Sequence, residues 1–74
     1  MSRMIQIKLK EGELFIKLGQ ALKAADLVGS GAEAKEVILG GEVLVNGETD
    51  LRRGRKLYMD DMVSFNGEEI KITE

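Results

Sequence analysis

From Met4 to Lys10 apolar and polar residues alternate, with Ile5, Ile7 and Leu9 on one side and Gln6, Lys8 and Lys10 on the other. A period of two predicts a strand with one buried face. Glu11, Gly12 and Glu13 break that rhythm, and from Leu14 the period lengthens. Phe15, Leu18, Leu22 and Ala25 fall at i, i+3, i+7 and i+10, the stripe of an amphipathic helix. The acids before it suit the positive end of a helix dipole, and Gly29 is expected to end it as a left-handed C-terminal residue. Ser30 with Glu33 three positions later predicts a capping box. Ala34, Val37 and Ile38 supply the buried stripe of this second helix, and Gly40-Gly41 stops it. Joined by so little chain, the two helices must pack as a tight corner.

The second half of the chain reads as short strands. Val43 and Val45 alternate with Glu42 and Leu44 and run into Asn46-Gly47, a pair that tolerates the positive φ of a tight hairpin. Thr49 to Lys56 is polar and basic, a loop or a poorly buried strand, and Leu57 to Met59 a short strand before the Asp60-Asp61 turn. Val63 and Phe65 lead into Asn66-Gly67, and Ile70 and Ile72 lead out, which predicts a second hairpin. The expected order is strand, helix, helix, then about four short strands, an α+β domain in which a two-helix corner packs on a small antiparallel sheet.

Composition narrows the chemistry. The 74 residues suffice for one domain, spanning 1–74, which buries about 60% of its unfolded surface. The chain has no Cys and no His, which removes disulfides, thiolate nucleophiles and the commonest general base and metal ligand. No apolar run follows Met1, so neither a signal peptide nor a membrane span is expected, and a cytoplasmic location is the default. The net charge of −2 hides a local excess: Arg52, Arg53, Arg55 and Lys56 sit within five positions, broken only by Gly54.

Several features compete for a chemical role. Asp60-Asp61 and Glu68-Glu69 are adjacent in sequence, so on a strand each pair would point to opposite faces, a poor arrangement for acid–base catalysis. Gly29-Ser30-Gly31 precedes a helix but lacks the spacing and the Lys-Ser/Thr ending of a nucleotide-binding loop. The basic run is the more informative feature. Guanidinium offers a planar fork of donors that matches phosphate oxygens in pairs, and Gly54 permits close approach of the backbone. Its plainer reading is a solvated loop balancing Glu48, Asp50, Asp60 and Asp61. Lys17 and Gln20 would share a helix face at i, i+3, with Lys23 further round and Lys35 pointing away from the second helix's buried stripe. These lysines gain meaning only if the fold sets them beside the arginines.

The segments Ser30-Gly31-Ala32-Glu33-Ala34-Lys35-Glu36-Val37-Ile38 and Gly41-Glu42-Val43-Leu44-Val45-Asn46-Gly47 resemble the signature of the S-four RNA-binding domain. Arg52-Arg53-Gly54-Arg55-Lys56-Leu57 and the Asp60-Asp61 turn resemble its single-domain YaaA/YbcJ-like branch, and the likeness extends over residues 14–72. It implies a helix–helix corner (the alpha-L motif) on a small antiparallel sheet. It also implies an RNA surface across the helices and the later loop, with Lys17, Gln20, Lys23, Ser30, Lys35, Arg52, Arg53, Arg55 and Lys56 as its candidate residues. Gly31 and Glu36 stand where many members carry basic residues, so binding is expected to lean on the arginine loop.

The resemblance thus implies a non-catalytic protein that binds structured RNA, ribosomal RNA foremost, in ribosome assembly or translation. Neither cofactor nor metal is expected, and a monomer is. The alternative is a protein-interaction adaptor within a ribonucleoprotein, favoured by the acidic remainder of the chain.

Overall fold

The computed structural model describes residues 4–74; the first three positions of the expected domain lie outside the described residues. Strand β1 covers Met4–Lys8, β2 Ile16–Lys17, α1 Leu18–Ala24 and α2 Gly31–Leu39. Five strands follow: β3 Val43–Val45, β4 Glu48–Thr49, β5 Lys56–Leu57, β6 Met62–Phe65 and β7 Glu68–Thr73. The main sheet has the order β1-β7-β6-β3-β4, and β2 and β5 form a separate antiparallel ribbon. The two helices pack against one face of this mostly antiparallel sheet, the α+β architecture that the periodicities predict.

One pairing departs from the expected all-antiparallel sheet. β1 runs parallel to β7, with Ile5 opposite Ile70 and Ile7 opposite Ile72. Alternation in one strand reports which face is buried and carries no information about the direction of its neighbour. The predicted inward set is correct: Ile5 and Ile7 are half-buried and Leu9 is buried, while Gln6, Lys8 and Lys10 are exposed. The core joins Leu18, Leu22, Ala34 and Ile38 of the helices to Val43, Val63, Ile70 and Ile72 of the sheet, with Leu57 closing it from the ribbon.

The first helix is shorter than its apolar stripe. Phe15 and Ile16 precede it, Ile16 in the ribbon, so the i, i+3 relation of Phe15 to Leu18 does not mark a helix. No acid lies in its first turn. Its C-terminus also differs from expectation: Asp26, with φ of 59°, takes the left-handed position assigned to Gly29. Asp26 N–H donates to the Lys23 carbonyl and Leu27 N–H to that of Leu22, the paired bonds of a Schellman ending. Aspartate is among the few non-glycine residues that accept this conformation at small cost. The second helix ends the same way, through Gly41 and Glu42, as its two glycines predict.

The helix starts also differ from each other. Ser30 Oγ accepts from Glu33 N–H at 3.1 Å, as a capping box requires. The returning Glu33 carboxylate takes the N–H of Gly29 rather than that of Ser30. At α1 the cap residue is Lys17, which has no acceptor to offer. The free N–H groups of Leu18 and Gly19 donate instead to the carbonyls of Arg55 (2.8 Å) and Arg53 (3.1 Å). The basic loop therefore caps the first helix with its own backbone, satisfying donors that would otherwise be buried unpaired.

Both hairpins turn on Asn-Gly pairs with positive φ at both residues: Asn46 and Gly47 at 51° and 85°, Asn66 and Gly67 at 53° and 79°. Asn46 does more than turn. Its Nδ2 donates to Asp61 Oδ1 at 3.1 Å and its Oδ1 accepts from Met62 N–H at 2.9 Å, which ties the β3–β4 turn to the start of β6. Asn66 makes no comparable side-chain bond among the described residues. Asn46→Ala should therefore lose about 2–3 kcal/mol, from left-handed strain plus two hydrogen bonds, and Asn66→Ala only about 1 kcal/mol. Urea unfolding of the two variants checks the difference, and equal losses would remove the bridging role.

Candidate nucleic-acid interface

Between Lys56 and Leu57 of β5 and the end of β4 the chain forms the basic loop, and one carboxylate organises it. Asp50 is the buried polar side chain of the described residues, 7% exposed. Its Oδ1 accepts from Arg52 N–H at 2.9 Å and from Arg52 Nε at 3.2 Å, and its Oδ2 from Arg52 Nη2 at 2.9 Å and Arg55 Nη1 at 2.6 Å. Four donors on one carboxylate fold the loop back on itself. The Arg52 hydrogen bonds, with those from Arg55, outweigh the cost of burial and hold the Asp50 carboxyl well below the ordinary carboxylate range.

This clasp divides the basic run. Arg55 is largely covered, with 30% of its side chain exposed, whereas Arg52 keeps 70% exposed while holding its carboxylate partner. Arg53 points the other way. Its stem lies on Gly19, where an added Cβ would sit 2.9 Å from Arg53 Cγ, so a residue without a side chain is what lets the arginine lie flat on α1. Arg53, Lys17 and Lys23 have no ion pair among the described residues.

These three cations and Gln20 line one shallow depression of about 330 Å³ together with Gly19, Gly31, Ala34 and Gly54. No acidic residue lines it. Small residues from both helices and the loop thus set a concave basic surface at the mouth of the corner. Gly31, where a basic residue is common in the resembling family, contributes space here instead of charge. A neighbouring hollow of about 480 Å³ is lined by Arg52, Gly54, Arg55 and Lys56 and shares Gly54 with the first. A larger one, about 530 Å³, lies among Lys8, Lys10, Glu11 and Glu13, and its mixed charge favours no anion.

Of the sequence-predicted residues, Lys17, Gln20, Lys23 and Arg53 are brought together, and Arg52, Arg55 and Lys56 adjoin them. Lys17 reaches the site from the ribbon and the helix cap, not from a helix face. Its N–H donates to Gln20 Oε1 at 3.3 Å, which fixes both main chain and amide. Lys35 is exposed on α2 outside both linings, and the Ser30 hydroxyl is occupied in capping α2. Asp50 was visible in the sequence only as one of several acids near the arginines. What distinguishes it is burial, which composition does not report. Asp61, another of those acids, accepts from Tyr58 N–H at 2.7 Å and serves the turn.

A two-helix corner on a small sheet, with a basic loop docked at the corner's mouth, is the frame that carries these cations. The chain belongs to the S4 domain family, whose model matches residues 7–73. A ribosome maturation protein of Bacillus subtilis (strain 168), designated probable and named RlbA, is 56% identical over 52 residues, 70% of this chain and 73% of that protein. The solution structure of YbcJ from E. coli, described as revealing an alpha-L motif involved in RNA binding, superposes with a TM-score of 0.71. It is 31% identical and the match spans all of this chain and 92% of that one.

Because the Asp50 carboxyl is lowered in the fold from its ordinary 3.8, the unfolded chain takes up its proton first as pH falls. The stability the clasp supplies is present at neutral pH and is lost progressively below about pH 4. Asp50→Asn should lower the urea midpoint at neutral pH and flatten its decline in acid. An unchanged acid dependence would remove the clasp from the account of stability. Gly19→Ala tests the close approach: Arg53 must shift, which the Nε–H resonance of its guanidinium would report. The melting temperature should change little, since a helix propensity gain of about 1 kcal/mol offsets the crowding.

Proposed function

We propose that the chain is a non-catalytic RNA-binding module that grips structured RNA, ribosomal RNA foremost, in ribosome maturation. The observation that carries this reading is the depression where Lys17, Lys23 and Arg53, cations with no ion pair among the described residues, converge with glycine and alanine. Such a surface admits a phosphate ridge closely, and nothing in its lining repels one. Helical RNA exposes phosphates and 2′-hydroxyls more than base edges, so a rigid basic concavity reads shape without a sequence code. The names of the B. subtilis relative and of the E. coli structural neighbour support RNA and the maturing ribosome as the setting.

Within this reading the residues have unequal roles. Arg53, Lys17 and Lys23 contact phosphate and Gln20 donates its amide beside them. Arg52 adds an exposed charge at the rim, Arg55 chiefly holds the loop, and Ser30 and Lys35 extend the surface along α2. The protein acts as one module over its whole length and as a monomer.

Three to five phosphate contacts predict that log K for total ribosomal RNA falls against log salt with a slope of about −2.7 to −4.5. Arg53→Gln should weaken binding about tenfold and reduce that slope by about 1, with the melting temperature unchanged. Arg55→Gln, which removes one of the four donors of the Asp50 clasp, should lower the melting temperature as well. Anisotropy titrations across a salt series separate the two effects. A slope that Arg53→Gln leaves intact would overturn the role given to the depression.

A further inference from the structure

Next to the depression the β2–β5 ribbon presents a face whose aromatic residues phosphate binding does not use. Ile16 pairs with Leu57 and Lys17 with Lys56. Strand alternation sends Ile16 and Leu57 inward, where Leu57 is fully buried, and Lys17 and Lys56 outward. The residues flanking the ribbon on that same outward side are Phe15 and Tyr58, two of the three aromatic residues of the chain. Their ring centroids lie 6.0 Å apart at an interplanar angle of 54°. The Lys56 ammonium sits 4.9 Å from the centre of the Phe15 ring.

Tyr58 is 50% exposed, yet its main chain is fixed on both sides. Its N–H donates to Asp61 Oδ2 at 2.7 Å, and its carbonyl accepts from Asp61 N–H at 3.0 Å, across a turn in which Asp60 has a φ of 75°. The ring is therefore presented from a rigid base and not from a loose loop. The surface runs without a break from Arg53 and Lys23, through Lys17 and its cross-strand partner Lys56, to the two rings.

We propose that the outward face of this ribbon is a second RNA contact, where an unpaired base stacks on Tyr58 against Phe15 while Lys17 and Lys56 hold the phosphates beside it. The proposal rests on the RNA-binding reading and sharpens its ligand class to helical RNA with an adjoining unpaired nucleotide. The chemistry favours a nucleotide over an apolar protein anchor. A protein side chain docked on the rings would bury the Lys56 ammonium without a counter-charge, which is costly, whereas a nucleotide brings a phosphate to it. Stacking on an aromatic face suits any base, since every base has a π-face.

The test uses two probes, a blunt RNA hairpin and the same hairpin with a short single-stranded extension at each end carrying a fluorescent purine analogue. The wild-type protein should bind the extended RNA about fivefold or more tightly and quench the analogue. Tyr58→Leu, which keeps apolar volume, should abolish the preference and the quenching while leaving affinity for the blunt hairpin unchanged. Phe15→Leu should reduce both, and Arg53→Gln should weaken binding to both RNAs equally. Equal wild-type affinity for the two RNAs, or a preference that survives Tyr58→Leu, overturns the stacking face while RNA binding stands; equal affinity is also what a protein-docking patch would give. Failure of the wild-type protein to bind either RNA overturns the reading on which it rests.

Discussion

The arrangement of this surface depends on one buried carboxylate. Asp50 draws the Arg52 and Arg55 guanidinium groups and the Arg52 N–H onto itself, and the loop so folded turns the carbonyls of Arg53 and Arg55 toward the first turn of α1. Those carbonyls cap a helix whose own cap residue, Lys17, has nothing to accept with. The loop thus needs the helix to place its carbonyls, and the helix needs the loop to satisfy its N–H groups. Breaking a buried, hydrogen-bonded ion pair by removing one partner strands the other, so each link in this circuit constrains the rest.

The clasp also explains how a chain of net charge −2 can present a surface for a polyanion. Attraction at short range depends on unpaired cations and on what lies within a Debye length of them, about 8–10 Å at ordinary ionic strength. Two of the loop's arginines are committed to Asp50, so the cations that line the depression without an ion pair among the described residues come from three separate elements: Lys17 from the ribbon, Lys23 from α1 and Arg53 from the loop. A run of four basic residues in sequence is not four equivalent phosphate ligands in space. The paired and the unpaired positive charges are interleaved, and Gly54 lines both hollows.

Much of this was legible in the sequence, and the exceptions have physical causes. The inward sets Ile5, Ile7 and Leu9, Ala34, Val37 and Ile38, and Ile70 and Ile72 follow from period alone, and the Asn-Gly turns from their tolerance of positive φ. The fold brings Lys17, Gln20 and Lys23, singled out by residue type and resemblance, onto one surface with Arg53, and Ser30 caps α2 as its spacing from Glu33 predicts. The parallel β1–β7 pair was not legible, because alternation is blind to direction. The start of α1 was misplaced because Phe15 and Leu18 fit a helical stripe, although they lie on either side of the two ribbon residues Ile16 and Lys17. The end of α1 was misplaced because glycine is the stronger left-handed signal than aspartate, and Gly29 stood three residues beyond Asp26. Asp50 and Gly19 were missed because their importance lies in burial and in close approach, which appear only once β4, α1 and the loop are in contact.

The same circuit bears on how the surface would recognise a partner. Its parts are joined through main-chain bonds: Leu18 and Gly19 to the loop, Lys17 to Gln20, Tyr58 to Asp61. Side chains that project from such a frame lose less conformational freedom on contact than the same side chains on an open loop, where about 0.5–1.5 kcal/mol is forfeited for each one immobilised. Rigidity of this kind favours ligands that are themselves rigid, since a fixed concavity matches a fixed ridge. A surface so built would match shape before charge, a selection that needs no base-reading element in a groove.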